Sequence, residues 1–333
     1  MRGEANTSPL AFLGPRSMTP AIIDYGNGIS AVDGGYQRPG LAAVHLVVEG
    51  GAAAVVDPCT NASVPAVLAA LEAKGLPRER VEWVFLTHIH LDHAGGTGEL
   101  IRHLRNARVA VHPRGARHMA DPARLVAGSI AVYGEQEFRR LYGEIVPVPA
   151  ERIVEAGDGF GAELAGRRFL FLDTPGHARH HNAIFDEASR AFFTGDTFGI
   201  SYREFDADGR EYVFYSSTPS QFDPDAAHAS LDRLMSHGPA ACYLMHYSRV
   251  SNPAAHAAAL HRCLDQYVAL ARRAAAAGAH RRAALVEGMH GLLVEGARAH
   301  GCRLPRARIE ALLATDILLN AQGLEAWLDA PAA

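Results

Sequence analysis

Residues 88–93 of the sequence carry three histidines and one aspartate: His88, His90, Asp92 and His93. Neutral imidazole and carboxylate groups are ligands that suit zinc and iron. His88 and His90 are two residues apart, so in an extended loop they face the same way and can bind one ion together. Asp92 and His93 are adjacent, so they point apart and can hold a second ion. The spacing therefore predicts a metal site rather than a group of solvated histidines.

Three more side chains of ligand type each follow a short apolar run that is typical of a buried strand. They are His177, Asp196 and His246. Because loops at strand ends usually carry sites, we expect all of these side chains to converge on one rim of a sheet. Five histidines and two aspartates suffice for two ions that share Asp196 as a bridge, with a solvent oxygen between them.

Apolar runs alternate with helical patterns along the chain. Strands are predicted at 21–24, 42–48, 53–56, 81–86, 109–111, 169–172, 182–185, 191–194 and 241–245. Helices are predicted at 64–74, 98–106, around 124–142 and at 224–237, where Asp223 is an N-cap and Pro224 the first helical residue. Strands mixed with helices in this way indicate a layered α/β or α+β fold.

After Asn252 the sequence becomes rich in alanine, leucine, arginine and glutamate. It predicts two long helices, 253–277 and 281–299, and two shorter ones, 305–314 and 322–329. We interpret this region as a helical cap on the fold, as a subdomain that grips substrate, or as both. The predicted organisation is an N-terminal extension at 1–19, a central domain at 20–252 and a helical region at 253–333.

Two inserted segments are candidates for the walls of a pocket, since clefts are lined by aromatic and apolar groups. Residues 121–147 contain three aromatic residues. Residues 198–222 follow Asp196 directly, and the alternative is that this loop packs on its own aromatic side chains. The candidates for the wall in this second segment are Tyr202, Phe205, Tyr212, Phe214 and Tyr215.

The ordered motif, His-x-His-x-Asp-His followed by a later His, Asp and His, resembles that of the metallo-β-lactamase superfamily over roughly residues 20–250. The resemblance implies an α+β fold, a four-layer αββα sandwich, here with an added C-terminal helical region. It implies that metal 1 is held by His88, His90 and His177. It implies that metal 2 is held by Asp92, His93 and His246, with Asp196 bridging the two ions.

The same resemblance gives roles to residues around the ligands. Asp57, at the end of an early strand, matches an aspartate that orients ligands. The family usually has a glycine where this chain has Cys59, which we expect near the site. The family pattern does not need His180 and His181, which follow His177 closely.

The resemblance implies a dinuclear hydrolase in which a metal-bridging hydroxide attacks an acyl carbon. Asp92 would be the catalytic residue, accepting a hydrogen bond from that hydroxide. A bridging aspartate resembles glyoxalase II-like thioesterases and lactonases, so a small-molecule thioester, lactone or ester is expected, and penicillin hydrolysis is not. A phosphodiesterase or nuclease is a weaker alternative. Zinc is the first expectation for the two divalent ions, with iron and manganese open. A diiron oxygen-binding or redox protein, or a sensor of low activity, is the alternative of another class.

Charge, cysteine pattern and apolar runs limit the classes of partner and the location that we expect for the protein. The net charge of the 333 residues is −4, and basic residues form no dense cluster, which argues against nucleic acid as a partner. The four cysteines form no CxxC pair, so a disulfide framework is not expected. The first residues do not resemble a signal peptide, and no run of about 20 apolar residues predicts a membrane span. We expect a cytoplasmic protein that binds a small molecule without a membrane, with a homodimer left open.

Overall fold

The computed structural model describes residues 21–217 and 219–330. The predicted N-terminal extension at 1–19 lies outside the described residues, as do the last three residues of the predicted helical region. None of the helices in the described ranges combines the length and the apolar character that crossing a bilayer requires.

The first sheet has seven strands whose order in the sheet is their order in the chain. The first four strands pair antiparallel, and the pairs from the fourth strand to the seventh are parallel. They are β1 (Ile22–Asp24), β2 (Ile29–Asp33), β3 (Ala43–Glu49), β4 (Ala52–Val56), β5 (Val81–Phe85), β6 (Arg108–Val111) and β7 (Ile153–Glu155). Parallel neighbours need crossover connections, and each of the three connections here contains at least one helix.

The second sheet has six strands and is also mixed. Its strands are β8 (Gly161–Leu164), β9 (Arg167–Asp173), β10 (Asn182–Asp186), β11 (Ala191–Gly195), β12 (Ala241–Leu244) and β13 (Ser248–Val250). Their order in the sheet is β13-β12-β11-β10-β9-β8, and only the β11–β12 pair is parallel among these neighbours.

Helices cover the outer faces of both sheets. They are α1 (Val64–Ala73), α2 (Leu91–Ala94), α3 (Thr97–His103), α4 (Pro113–Ala120), α5 (Ala123–Tyr133), α6 (Glu135–Tyr142), α7 (Pro224–Ser236), α8 (Pro253–Ala275), α9 (Arg281–His300) and α10 (Arg306–Asp329). Asp223 caps α7 by accepting a hydrogen bond from the backbone N–H of Ala226 at 3.0 Å. The sheets, the covering helices and the C-terminal helices confirm the predicted αββα fold with its added helical region.

The core between the two sheets is aromatic. The ring of Phe85 on β5 lies 5.2 Å from that of Phe169 and 5.3 Å from that of Phe171, both on β9. Neighbouring residues of a strand point to opposite faces, so Val84, next to Phe85 on β5, packs on the other face of the sheet, in a separate apolar cluster beneath the helices. A strand with an apolar layer on each side must be apolar on both faces.

Two predicted helical segments differ from the structure. The segment around 124–142 is two helices, α5 and α6, that meet at Gly134, whose φ of 78° no continuous helix can contain. The predictions of separate helices at 305–314 and 322–329 were wrong, because α10 is continuous across both. The intervening residues include no glycine or proline, and the polar side chains of Asp316 and Asn320 are buried.

Candidate metal centre

The ligand-type side chains follow the ends of strands that come from both sheets. The stretch from His88 to His93 follows β5 of the first sheet. His177, Asp196 and His246 follow β9, β11 and β12 of the second sheet. The site therefore lies at the rim where the two sheets meet, and all seven predicted side chains come together there.

His88, His90 and His177 form the first cluster. The Nε2 atom of His88 lies 2.9 Å from Nδ1 of His90, and Nε2 of His177 lies 3.1 Å from the same Nδ1 atom. Three imidazole nitrogens that converge so closely are a suitable set of ligands for a divalent ion that takes a further ligand from solvent.

Asp92, His93 and His246 form the second cluster. The Oδ2 atom of Asp92 lies 3.2 Å from Nε2 of His246 and 3.9 Å from Nε2 of His93. His93 is fully buried, and His246 is nearly so. One carboxylate and two imidazoles are again a set of ligands for a divalent ion.

Asp196 lies between the two clusters and faces each of them with a different oxygen. Its Oδ2 atom is 3.5 Å from Nε2 of His177, in the first cluster. Its Oδ1 atom is 3.2 Å from Nε2 of His93 and 3.9 Å from Nε2 of His246, in the second cluster. A carboxylate in this position can contact an ion in each cluster at once.

Hydrogen bonds at Nδ1 fix the orientation of three imidazole rings. His177 donates to the carbonyl oxygen of Ser216 at 2.9 Å, and His246 donates to that of Leu41 at 2.8 Å. The Nδ1 atom of His93 lies 3.0 Å from Oδ2 of Asp57. In each case the proton is held on Nδ1, so Nε2 presents its lone pair to the cluster.

Asp57 lies where the motif places a residue that orients ligands. Besides contacting His93, it accepts hydrogen bonds from the backbone N–H and the Oγ1 hydroxyl of Thr87, at 2.8 and 2.7 Å. Cys59 lies close by, and its backbone N–H donates to the carbonyl of His93 at 2.9 Å. Burial raises the pKa of the Cys59 thiol to about 12, so this side chain stays protonated and takes a packing role.

The backbone just before Asp196 requires glycine. Gly195 has a φ of +48°, and a Cβ there would lie 2.4 Å from Oγ1 of Thr87 and 2.7 Å from Nε2 of His181. That Nε2 atom accepts a hydrogen bond from the backbone N–H of Asp196 at 3.3 Å. His181 is thus a buried residue that holds the backbone of Asp196, a role that spacing alone did not reveal.

Burial and neighbouring charges divide the histidines into two groups. Burial, together with the surrounding imidazoles, lowers the pKa of His88 and His90 well below the usual value, so both rings are neutral. Burial acts in the same direction on His93, but the carboxylates of Asp196 and Asp92 outweigh it and raise the pKa of His93 well above the usual value. The second cluster therefore attracts a positive charge.

Two buried polar atoms without hydrogen-bond partners indicate that a metal ion fits the site. Within the part of the chain that the structure describes, Nε2 of His93 and Oδ1 of Asp196 have no hydrogen-bond partner. Buried polar atoms without partners are costly, and such atoms are found where an ion or a water completes the site. Their position, 3.2 Å apart in the second cluster, fits a metal ion that satisfies both.

A cavity of about 460 Å³ opens onto this centre. Its walls include His90, Asp92, Asp196 and His246, and it continues between α5 and α10. His180 lines the cavity too, with its ring centroid 5.4 Å from that of His90. The volume suits a small-molecule ligand, since such pockets measure about 300–1,000 Å³.

The five aromatic residues expected in the cavity wall separate in the structure. Tyr202 lines the cavity. Phe205, Phe214 and Tyr215 instead pack in the core formed with the C-terminal helices, and Tyr212 borders a different cavity. The reason is that α8, α9 and α10 cover this loop, so most of its aromatic side chains find apolar partners away from the metal centre. Spacing also missed a group of cavity-lining residues, namely Tyr36, Arg38, Leu312, Asp316 and Leu319.

Comparison with known proteins gives one family. The family model described as Metallo-beta-lactamase superfamily matches residues 38–246, more than half of the chain. The matched segment begins before β3 and ends on the last residue of the second cluster. It therefore includes every residue of the two clusters and Asp57.

Three proteins illustrate the similarity. A hydroxyacylglutathione hydrolase of Acidiphilium cryptum is 33% identical over 191 residues, which is 57% of this chain and 57% of that protein. An atrochrysone carboxyl ACP thioesterase of Aspergillus fumigatus is 30% identical over 118 residues, 35% of this chain and 28% of that protein. The metallo-beta-lactamase fold-containing protein ST1585 of Sulfurisphaera tokodaii is 28% identical over 134 residues, 37% of this chain and 47% of that protein.

The solved structure of ST1585 has the same fold. It superposes with a TM-score of 0.58 and 23% identity, and covers 73% of this chain and 86% of that one. The chain spans about half the length, or less, of the curated relatives described above.

Proposed function

This chain belongs to the metallo-beta-lactamase superfamily, and from that premise we propose that it is a dinuclear metal-dependent hydrolase of small-molecule thioesters. The observation that carries the proposal is the position of Asp196, whose two oxygens face the two ligand clusters at 3.5 and 3.2 Å. A carboxylate between two sets of ligands is suited to hold two ions close together.

The ligand roles follow the two clusters. His88, His90 and His177 hold one divalent ion, and Asp92, His93 and His246 hold the other, with Asp196 shared. Zinc is the ion that we propose first, because neutral imidazoles with carboxylates match its chemistry. Iron and manganese use the same groups, so the metal has to be measured.

When bound, such ions lower the pKa of coordinated water to about 7 and offset negative charge on the reacting atoms. The side chains of the protein position the attacking water. Asp92 borders the cavity and accepts a hydrogen bond from the attacking water, which aligns the water with the acyl carbon. Water adds to that carbon, the carbon–sulfur bond breaks, and a carboxylic acid and a thiol leave.

We propose thioesters rather than lactones as substrates because of the names of two similar proteins. Of the proteins compared above, one is named for hydrolysis of hydroxyacylglutathione and another is named as a thioesterase. Both names describe an acyl group carried on sulfur. Lactones, oxygen esters and phosphodiesters are therefore the comparison substrates in the test.

The test begins with metal analysis of protein purified without added metal. Hydrolysis is then measured on a thioester, a lactone, an oxygen ester and a phosphodiester. We expect two ions per chain and turnover that is highest on the thioester. Replacing Asp92 with alanine should lower kcat at least about 100-fold, whereas Asp225→Ala, an exposed aspartate on α7, should leave it unchanged.

Three outcomes would contradict the proposal. Unchanged turnover in Asp92→Ala with one bound ion would rule out the role given to Asp92. A coloured, iron-rich protein without turnover on any substrate would favour oxygen chemistry or a sensor. Preference for the phosphodiester would identify a different class of hydrolase.

A further inference from the structure

The cavity extends from the metal centre into a trough between α5 and α10. From α5, the lining residues are Arg124, Leu125, Gly128, Ser129, Val132 and Tyr133, and four of them, Leu125, Gly128, Ser129 and Val132, are spaced as one face of a helix. From α10, the lining includes Ala311, Leu312, Thr315 and Leu319, again one face. The trough therefore has two helical walls that present the apolar side chains of Leu125, Val132, Leu312 and Leu319 beside polar ones, and the metal ligands form one end.

Helix α5 is unusual in what it fails to bury. Its eleven residues are predominantly apolar, and Leu125, Val126, Ile130 and Tyr133 pack against the core, yet each of these four is only partly buried. Val132, at 38% exposed, is one of three large hydrophobic side chains that are exposed in the described residues. An apolar helix of a globular domain normally buries one face, so a face that borders an open trough indicates a site for an apolar ligand.

The opposite wall is held firmly in place. The Tyr202 hydroxyl donates to the Asp316 carboxylate at 3.1 Å, and the backbone N–H of Ser217 donates to Oδ1 of Asn320 at 2.6 Å. Asp316 and Asn320 are one turn apart on α10 and are both buried. These bonds fix α10 against the loop that follows Asp196, so Leu312 and Leu319 form a preorganised wall.

We propose that this trough binds the acyl chain of the substrate, and that the substrate is a thioester of a medium-length hydrocarbon acid. The inference rests on the proposed function and adds the substrate class to it. With the thioester group at the metal centre, the alkyl chain extends between Leu125 and Val132 on one side and Leu312 and Leu319 on the other. A short hydroxyacyl group would leave these apolar walls in contact with water.

The test uses S-acyl-N-acetylcysteamine thioesters with acetyl, butanoyl, hexanoyl, octanoyl and decanoyl groups. The full chain is supplied with saturating zinc, and kcat/KM is measured from thiol release. We expect kcat/KM to rise from butanoyl to octanoyl by about fourfold for each added methylene, since each buried methylene contributes a nearly constant amount.

Gly128 allows a blocking variant that should fold. A Cβ at this position has no heavy atom within 4 Å, so Gly128→Leu places its side chain in the trough without a clash. Leucine also favours a helix more than glycine does. We expect the ratio of kcat/KM for octanoyl over acetyl to fall at least tenfold in this variant.

Gly291 offers a matched control. It lies in α9, away from the trough, and a Cβ there also has no heavy atom within 4 Å. Gly291→Leu should keep the octanoyl-to-acetyl ratio of the unmodified protein. A ratio unchanged by Gly128→Leu, or kcat/KM that does not depend on chain length, would overturn the inference while leaving a thioesterase in place.

A binding measurement tests whether the trough binds an alkyl chain independently of hydrolysis. S-octyl-N-acetylcysteamine is a thioether and cannot be hydrolysed, so calorimetric titration reports binding alone. We expect binding to the unmodified protein and to Gly291→Leu, and at least tenfold weaker binding to Gly128→Leu. Equal affinity for all three proteins, or no binding to any of them, would refute the proposal that the trough binds an acyl chain. This result does not depend on catalysis, so it can be told apart from a failure of the proposed thioesterase activity.

Discussion

Asp57 and His93, which are 36 residues apart in the chain, meet at 3.0 Å between Oδ2 and Nδ1. The same carboxylate accepts two hydrogen bonds from Thr87, so it cannot rotate away from the ring. When His93 binds a metal ion in its neutral form, this contact keeps the remaining proton on Nδ1. The Nε2 atom, which lies 3.2 Å from Oδ1 of Asp196, is then the atom that would bind the ion.

Asp57→Asn should weaken metal binding at the second cluster. The asparagine keeps one oxygen for the N–H of Thr87, but its NH₂ group replaces the acceptor that faces His93 and favours the wrong tautomer. We expect the affinity of the more weakly bound ion to fall about 10–100-fold. Competition with a chromophoric chelator measures this, and Asp225→Asn on the exposed side of α7 is the control.

Removing the metal should destabilise the fold. Several carboxylates and imidazoles are buried together, and bound ions satisfy atoms that otherwise lack partners. An ion that binds only the folded state adds about 2.7 kcal/mol when its free concentration is 100 times Kd. We therefore expect a chelator to lower the Tm of the protein by several degrees, and zinc to restore it.

The control for metal removal is His93→Ala. This variant lacks a ligand of the second cluster, so its Tm should respond less to the chelator than that of the unmodified protein. An equal response in both proteins would show that the ion responsible for the shift is bound elsewhere.

The sequence predicted the strands that carry the site because their signal is local. An apolar run followed by a polar ligand type marks a strand end, and this holds for Asp57, His177, Asp196 and His246. From these strand ends the sequence predicted that the side chains converge on one rim of a sheet, and the structure places them at a rim where two sheets meet. The assignment of each side chain as a ligand stays a proposal that metal analysis tests.

The cavity could not be predicted in the same way, because its walls depend on distant pairings. The Tyr202–Asp316 contact joins residues 114 positions apart, and it decides which face of α10 borders the metal centre. The sequence analysis predicted two short helices, 305–314 and 322–329, on either side of Asp316 and Asn320. Both are buried polar residues of one helix, and Tyr202 and Ser217, their partners from the loop after Asp196, are brought to them by the tertiary fold.

Gly195→Ala should damage the site and the fold together. The left-handed φ of +48° is unfavourable for alanine, and its Cβ would collide with Thr87 and His181. Such strain costs about 1–3 kcal/mol per residue, and the clash adds to it. We expect the free energy of unfolding to fall by about 2 kcal/mol or more, because alanine is incompatible with this backbone conformation. Metal binding should weaken as well.

Gly161→Ala is the matched control for that substitution. Gly161 begins β8, is exposed, and a Cβ added there would have no heavy atom within 4 Å. Urea unfolding should give nearly the same free energy for this variant and the unmodified protein. Comparable losses in both variants would mean that the backbone before Asp196 tolerates alanine.

Asp316→Asn should stabilise the metal-free protein at neutral pH. Burial raises the pKa of Asp316 to about 6 from the usual 3.8, so the folded state holds a proton that the unfolded state has already lost. The unfolding free energy therefore falls as pH rises between about 4 and 6. Above that range the loss of stability caused by the buried Asp316 carboxylate has reached its full size. We expect Asn to stabilise by about 2 kcal/mol at pH 7.5 and by much less at pH 4. Urea unfolding of chelator-treated protein at both pH values measures the difference, with Asp225→Asn, at an exposed position of α7, as the control. An equal effect of Asp316→Asn at both pH values would show that the ionisation of Asp316 does not weaken the fold.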